Sequence, residues 1–384
     1  MYSETKRVEY LDSIRGLAAL FVLLSHTVGA FAWPPAYGVL FSWPLVSILF
    51  NGKEAVGMFF VLSGYVLSKP YVSSTGTAAP RKIFLPTFYL RRFIRIWVPW
   101  FFVFVASIFA RKFLFFQPVT DPPVSKWLNQ FWQVPLTAGD FFRQCAFLLH
   151  DATRQLLNQD WSLGVELKGS VLIPLFLFLA HRKRVGLELM LAAGFLAFVG
   201  TGHYYVSFII GVLVARYADF FAARFMPSGR LARMAVLFLG LLLYQGFGLS
   251  VRYLHETQPA YKLGWVITSL GCAIVLLSTF GSQTLQNLLN YKPMVFLGRV
   301  SYSVYLLQFI IIMCLLPPLV RLVNGWGIVQ RPALFGLTIL ASVGTTIGCA
   351  AITYRFVEVP AINLGHRLTK EIQRRFQKQS KIIV

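Results

Sequence analysis

Arg15 and His26 lie eleven residues apart in the apolar stretch YLDSIRGLAALFVLLSH. In an α-helix this spacing amounts to three turns plus about 20°, so both side chains share one helix face, about 16 Å apart along the axis. A guanidinium can bind an anion or stabilise an oxyanion, and an imidazole can accept a proton or act as a nucleophile. The alternatives are a structural histidine, and an arginine that pairs with Asp12 and reaches the membrane surface.

Arginines are concentrated in the stretch PRKIFLPTFYLRRFIR, which begins at residue 80. Arg92 and Arg95 are three residues apart and therefore share a helix face. Because the planar guanidinium can bind a phosphate through two parallel hydrogen bonds, this pair predicts a phosphate-binding site. The alternative is that these charges only mark the cytoplasmic side of a membrane protein.

A carboxylate and a hydroxyl also lie inside apolar stretches. Glu166, in NQDWSLGVELKGSVLIP, is predicted at a depth close to that of His26, where the two groups could orient each other or share a proton. A structural pair between Glu166 and Lys168 is the alternative. Ser63, in GKEAVGMFFVLSGYVLS, could line a passage for an acyl chain, or with Gly64 could let two helices pack closely.

The composition predicts that membrane-spanning helices position these residues. The 384-residue chain is 57% hydrophobic and 13% charged, whereas a soluble domain carries roughly a quarter charged residues. Apolar runs of about 20 residues recur, and each is long enough to cross a bilayer, so we predict an all-α, polytopic membrane bundle of about ten transmembrane helices. Their approximate bounds are 10–31, 54–70, 93–116, 161–180, 185–200, 203–220, 231–250, 262–280, 297–319 and 333–356.

The charge distribution predicts the orientation in the membrane. The net charge of +22 would also suit a nucleic-acid-binding protein, but the basic residues cluster in alternate loops, which is typical of cytoplasmic loops. We therefore predict a multi-pass protein of the cell membrane with both termini in the cytoplasm and no nucleic-acid partner. A membrane domain is expected over residues 1–360, with its first span retained, and a basic cytoplasmic tail over 361–384. The four cysteines and six histidines have no metal-ligand spacing, so no metal is expected.

Six sequence motifs occur in the order found in one family: LDSIRGLAALFVLLSH, VGMFFVLSGYVLS, RRFIRIWVPW, WSLGVELKGSVLIP, FLGRVSYSVYLLQF and YRFVEVPA. Over about residues 8–365 the chain resembles the acyltransferase-3 family of integral membrane O-acyltransferases. The resemblance implies a cytoplasmic acyl-CoA donor, with acetyl-CoA favoured, no permanently bound cofactor, and a hydroxyl acceptor on a cell-envelope glycan reached from outside. It assigns the essential arginine and histidine to Arg15 and His26, and donor binding to Arg92 and Arg95.

Further residues of these motifs are assigned to acceptor binding or to structure: Asp12, Trp161, Ser162, Tyr302, Gln308 and Glu358. Gln308 stands where many members of the family have a histidine, which puts the role of that histidine in doubt here. Many relatives also carry a soluble hydrolase-like domain after the membrane part. The 384-residue sequence has Val384 as its last residue, so a second transfer step is expected to need a separate protein.

Together these residues suggest a mechanism. Arg92 and Arg95 hold the donor phosphates, with Ser63 along the acyl passage. Arg15 binds the polar part of the donor or the thioester oxygen, and Glu166 orients His26 or the sugar. His26, whose unperturbed pKa is about 6.5, either takes the proton of the acceptor or is transiently acylated.

Arg15 and His26 are expected to face one polar cavity inside the bundle, because a cation left in lipid is costly. Two functions of other classes stay open at this point. One is a lipid or solute translocator without transfer chemistry, and the other is a carrier that passes the acyl group outward to a partner protein.

Overall fold

The computed structural model describes residues 8–72, 83–115, 124–133, 135–146, 156–180, 183–200, 202–225, 227, 229–248, 259–326 and 331–382. Among these residues the regular structure is helical, and the β-type pairing is limited to an isolated antiparallel bridge between Phe31 and Val124. The α-helices are α1 (Glu9–Gly29), α2 (Pro35–Ser42), α3 (Pro44–Phe50), α4 (Gly52–Ser68), α5 (Leu85–Phe113), α6 (Lys126–Asn129), α7 (Ala138–Cys145), α8 (Asp160–Ala180), α9 (Lys183–Val199), α10 (Tyr205–Phe225), α11 (Arg230–Tyr244), α12 (Pro259–Phe280), α13 (Gln283–Leu289), α14 (Lys292–Gly325), α15 (Arg331–Thr353) and α16 (Val359–Ile382).

The all-α prediction is confirmed, and each of the ten predicted spans falls on a helix. Within the described residues, seven stretches are long and apolar enough to cross a membrane: Glu9–Gly29, Leu85–Phe113, Asp160–Leu179, Arg230–Gly248, Lys262–Phe280, Lys292–Gly325 and Arg331–Gln377. Three of the ten predicted spans fall on helices that are not among these seven: α4 and α9, with 17 residues each, and α10, with 21. The count of ten spans and the cytoplasmic placement of both termini therefore stay predictions.

Helix α5 begins eight residues before its predicted start, at Leu85. Pro86 lies in the first turn, where its fixed φ suits a helix and its missing N–H costs no hydrogen bond. Arg92 and Arg95 consequently lie about two to three turns inside a helix, not at its mouth. The sequence prediction was wrong here because it started the span where continuous hydrophobicity starts.

The chain divides into two compact units, and the first comprises Met1–Ser25, Pro35–Lys82 and Gly169–Ser301. Glycines let its helices approach to backbone contact, which is how helices pack without a hydrophobic driving force in lipid. A Cβ on Gly64 of α4 would lie 2.4 Å from the Phe208 carbonyl oxygen of α10. A Cβ on Gly298 of α14 would lie 2.4 Å from the Asp12 carbonyl oxygen of α1. No larger residue fits either crossing without a shift of the backbone.

The second unit comprises His26–Pro34, Ile83–Lys168 and Tyr302–Val384. Within it, α16 packs against α5. Arg91 Nε donates to Thr369 Oγ1 at 2.8 Å, and Gly365 faces Ile94 across a small gap. The predicted tail over 361–384 thus forms most of a helix that is bound to α5, as far as residue 382. Its cytoplasmic location stays a prediction.

A π-helical turn, Tyr354–Glu358, joins α15 to α16. Pro360 follows it and has no N–H, and its ring would clash with the carbonyl four residues earlier in a regular α-helix. The wider turn, closed by the Val359 N–H on the Tyr354 carbonyl, avoids this conflict. It also brings Glu358 into the interior, where the Ser303 hydroxyl donates to its carboxylate at 2.9 Å.

Candidate active site

His26 lies in the last turn of α1 and stacks on an indole ring. The centroids of the His26 and Trp127 rings are 5.2 Å apart, with an interplanar angle of 27°. The Gln308 side chain also contacts the imidazole. The His26 Nδ1 atom is buried, and within the described part of the chain it has no hydrogen-bond partner. One ring nitrogen is therefore available to an incoming group.

Ser125 fixes the position of Trp127. Its hydroxyl accepts a hydrogen bond from the Leu128 N–H, which caps the short helix α6, and donates to the Gly29 carbonyl at the end of α1 at 2.5 Å. Its backbone N–H donates to the Ala30 carbonyl at 2.9 Å. The bonds to Gly29 and Ala30 tie the start of α6 to the end of α1, and the bond from Leu128 caps α6, so that the indole is held over the imidazole. Sequence reasoning missed Trp127 because it lies in a short helix about 100 residues from His26 in the chain.

A buried chain of hydrogen bonds connects Gln308 with α8. Gln308 Nε2 donates to the Tyr305 carbonyl at 3.1 Å, and the Tyr305 and Ser162 hydroxyls are 2.5 Å apart. Ser162 donates in turn to the Gln159 carbonyl at 2.8 Å, and Gln159 Nε2 donates to the Leu306 carbonyl at 2.6 Å. Ser162 and Gln308, both predicted from the motifs, therefore lie in one polar network with His26.

The carboxylate of Glu166 binds Arg92, with 2.7 Å between Oε1 and Nη2. The two side chains are 20% and 13% exposed, respectively. The sequence predicted His26, the sugar or Lys168 as partners of Glu166, with Glu166 at the depth of His26 and Arg92 on the cytoplasmic side. This separation of Glu166 from Arg92 was wrong, because the ion pair puts both charges at one level of the second unit.

Arg95 lies one turn after Arg92 on α5 and is exposed, unlike its neighbour. Because Arg92 is already compensated by Glu166, the exposed Arg95 guanidinium is the better placed of the two to meet an anion from outside the fold. Their predicted action as an equivalent pair of phosphate ligands is thus not what the geometry favours.

Arg15 belongs to the first unit, on the same helix as His26. Its Nη1 atom lies 3.5 Å from the Asp12 carboxylate, so the local pair considered from the sequence is present. This pair lies beside the crossing of Gly16 and Gly298, where a Cβ on Gly16 would be 2.6 Å from the Gly298 nitrogen. The arginine is therefore held at a rigid helix crossing. Its shared cavity with His26 stays a prediction.

Ser63 is buried in the first unit, 5% exposed, next to the close contact of Gly64 with α10. The geometry at Gly64 agrees with the packing alternative for this motif. A role of Ser63 in donor binding stays a prediction.

Sequence reasoning overlooked a buried carboxylate, Asp160, at the start of α8. Trp100 Nε1 donates to one of its oxygens at 2.8 Å and Gln144 Nε2 to the other at 2.7 Å. The helix N-terminus favours a negative charge at this position. The available signal was an aspartate directly before the recognised motif, in the stretch NQDWSLGVELKGSVLIP.

The remaining motif residues lie at helix contacts of the second unit. The Tyr302 hydroxyl donates to the Ile96 carbonyl of α5 at 2.7 Å. Glu358 accepts from Ser303, as described above, and Trp161 is partly buried in the first turn of α8. These positions support the structural role for Tyr302 and Glu358 that was one of the two assignments.

Comparison with protein families decides the class. The family model described as acyltransferase domain matches residues 8–354. The chain belongs to the acyltransferase-3 family. This confirms the resemblance inferred from the six motifs. The candidate residues His26, Arg92, Glu166 and Gln308 all lie within the matched range.

The relatives of this family member include enzymes named for acetyl transfer. It is 22% identical, over 93% of its length, to O-acetyltransferase OatA of Staphylococcus aureus, of which it covers 57%. It is 24% identical, over 92% of its length, to peptidoglycan O-acetyltransferase OatA of Listeria monocytogenes, of which it covers 56%. The chain thus spans just over half the length of these relatives. No solved structure matches it.

Proposed function

We propose that this family member is a membrane O-acyltransferase that moves an acetyl group from acetyl-CoA to a hydroxyl group of a cell-wall glycan. The observation that carries the proposal is the environment of His26. Its Nδ1 is buried and unpartnered among the described residues, and its ring contacts Trp127 and Gln308. The family membership and the names of the relatives support acetyl as the group and a cell-wall glycan as the acceptor.

The acetyl donor enters from the cytoplasm in this proposal. The exposed Arg95 binds the phosphates of CoA, and Arg92 adds to the positive field while it stays paired with Glu166. Glu166 thereby acts on the donor side of the site and not as the partner of His26. For Arg15 we retain the role that the family resemblance implies, which is to hold the polar part of the donor or the thioester oxygen.

In the transfer step, the acceptor hydroxyl oxygen attacks the thioester carbonyl carbon. His26 takes the hydroxyl proton, the carbon–sulfur bond breaks, and the CoA thiolate leaves and is protonated. The products are the acetyl ester and CoA. Transient acetylation of His26 followed by attack of the hydroxyl on the acyl-imidazole gives the same products.

The test uses the purified protein in lipid nanodiscs with radiolabelled acetyl-CoA and a soluble peptidoglycan glycan fragment. We expect release of CoA and label on the fragment. His26→Ala is expected to abolish both, whereas His366→Ala, which removes an exposed histidine of α16, serves as the matched control and should retain both.

Three outcomes would overturn the proposal. If His26→Ala keeps wild-type turnover, His26 is neither the base nor the nucleophile of the reaction. Absence of CoA release from the wild type would favour the translocator. Release of CoA without label on the fragment would favour a carrier that hands the acetyl group to a partner protein.

A further inference from the structure

Three buried polar atoms around α14 have no hydrogen-bond partner among the described residues. They are His26 Nδ1, Gln308 Oε1 and Gln159 Oε1. Gln308 and Gln159 are 0% and 1% exposed. A buried polar atom without a partner costs free energy, so natural proteins leave one only where water, an ion or a ligand satisfies it.

The two glutamines are held in the same way at adjacent positions. Each donates its amide nitrogen to a backbone carbonyl of α14, Gln308 to Tyr305 and Gln159 to Leu306. Because the partner of each nitrogen is a carbonyl, the orientation of both amides is fixed, and each Oε1 must be the atom left free. Successive carbonyls of α14 thus hold the two amides in neighbouring positions, and each amide keeps one hydrogen-bond acceptor unused.

The chemistry of these atoms defines the ligand. An amide oxygen accepts hydrogen bonds and cannot donate them, so the group that satisfies the pair must carry at least two donors. Neighbouring hydroxyls, or a hydroxyl and an amide N–H, are what an amino sugar of a glycan offers. A thioester or an acyl chain carries no donor and does not fit.

We propose that Gln159 and Gln308 form the acceptor-recognition site. Their amide oxygens accept hydrogen bonds from two donors of one sugar residue, and the contact of Gln308 with His26 brings a hydroxyl of that sugar to the imidazole. This inference rests on the proposed function and adds the residues that choose the acceptor. Neither glutamine takes a proton; both position the substrate.

The experiment compares Gln159→Met and Gln308→Met, which keep the length of the side chain but remove the amide oxygen. The matched control is Gln286→Met: Gln286 Nε2 also donates to helix carbonyls, those of Thr279 and Phe280, but its Oε1 is not among the buried unpartnered atoms. All three variants lose amide-to-carbonyl bonds of the same kind, so Gln286→Met shows what the loss of such bonds alone does to the protein.

We expect the KM for the peptidoglycan fragment to rise about fivefold to tenfold in Gln159→Met and in Gln308→Met, because each loses one hydrogen bond to the acceptor. The KM for acetyl-CoA and the slow hydrolysis of acetyl-CoA without acceptor should match those of Gln286→Met. Titration calorimetry of the fragment without donor should show the same loss of affinity.

The outcomes separate the two proposals. If the wild type transfers no label, the proposed function fails. If it does, but the two variants keep the acceptor KM of the control, the inference is wrong and the atoms hold only buried water. A raised KM for acetyl-CoA alone would also overturn it, since it would place the glutamines on the donor side.

Discussion

Arg92 and Glu166 form an ion pair with 2.7 Å between Nη2 and Oε1, and this pair joins α5 to α8 across 74 residues of chain. Both side chains are mostly buried. Removal of one partner from such a pair leaves an uncompensated charge, which costs more than the pair itself contributes. The pair therefore compensates each charge inside the second unit and keeps a cation next to the exposed Arg95.

Glu166→Ala is expected to lower the stability of the protein by about 2–4 kcal/mol, because the mostly buried Arg92 would lose its ion pair with Glu166. The measurement is the midpoint of thermal unfolding in detergent. Glu9→Ala is the matched control: Glu9 pairs with Arg299 at 3.1 Å, but both side chains are about half exposed, so its loss should cost under about 1 kcal/mol. Equal shifts in the two variants would contradict the structural role of the Arg92 pair.

Arg95→Ala is expected to raise the KM for acetyl-CoA about tenfold or more, since a charge-assisted bond to phosphate is worth about 1.5–3 kcal/mol. Arg95→Lys should be milder because it keeps the charge. Arg321→Ala, which removes an exposed arginine of α14, should leave the KM unchanged. If Arg95→Ala leaves the KM for acetyl-CoA unaltered, Arg95 does not bind the donor, and its charge serves only the orientation of the protein in the membrane.

Ser125→Ala is expected to reduce turnover severalfold, because it removes both the cap of α6 and the bond to Gly29 that holds Trp127 over His26. Ser282→Ala is a suitable control, since Ser282 caps α13 through the Leu285 N–H. Each variant should lose about 1 kcal/mol of stability from the missing cap, and Ser125→Ala should lose a further amount with the bond to Gly29. Only Ser125→Ala should lose activity. If both variants keep full activity, the position of Trp127 does not affect the reaction.

Gly298→Ala is expected to destabilise the first unit by about 1–3 kcal/mol, because the added Cβ would meet the Asp12 carbonyl at 2.4 Å. Gly336→Ala provides the comparison: a Cβ at this helical position of α15 meets no atom within 4 Å, so it should leave stability unchanged or improve it slightly. The measurement is again thermal unfolding. A tolerated Gly298→Ala would show that α1 and α14 can separate at this point.

Much of the fold follows from local patterns in the sequence. Each of the ten long apolar runs falls on a helix, and Arg15 and His26 lie on one helix, α1, as their spacing required. The start of α5 was missed because LPTFYLRRFIR is too polar for a membrane span yet has a proline suited to the first turn of a helix. Hydrophobicity reports where lipid lies, whereas helix formation also follows capping and propensity.

The partners within the site could not be predicted in the same way. From the sequence alone, several partners were possible for the Glu166 carboxylate. The packing of α5 against α8 makes Arg92 its partner. Gln159 and Asp160 precede the recognised motif directly, yet one chain position contains no information on which carbonyl or indole will face it. Such choices depend on packing between segments that are far apart in the sequence.

The π-helical turn at Tyr354–Glu358 also sets the rotational register of everything that follows it. A regular α-helix advances about 100° per residue, so deletion of one residue from this turn would rotate α16 by about that angle relative to α15. Thr369 would then lose its hydrogen bond with Arg91. The face of α16 that carries Gly365 and Thr369 would turn away from α5, and a face with charged side chains would replace it. The single extra residue acts as an angular offset, and insertions or deletions here should be far less tolerable than substitutions.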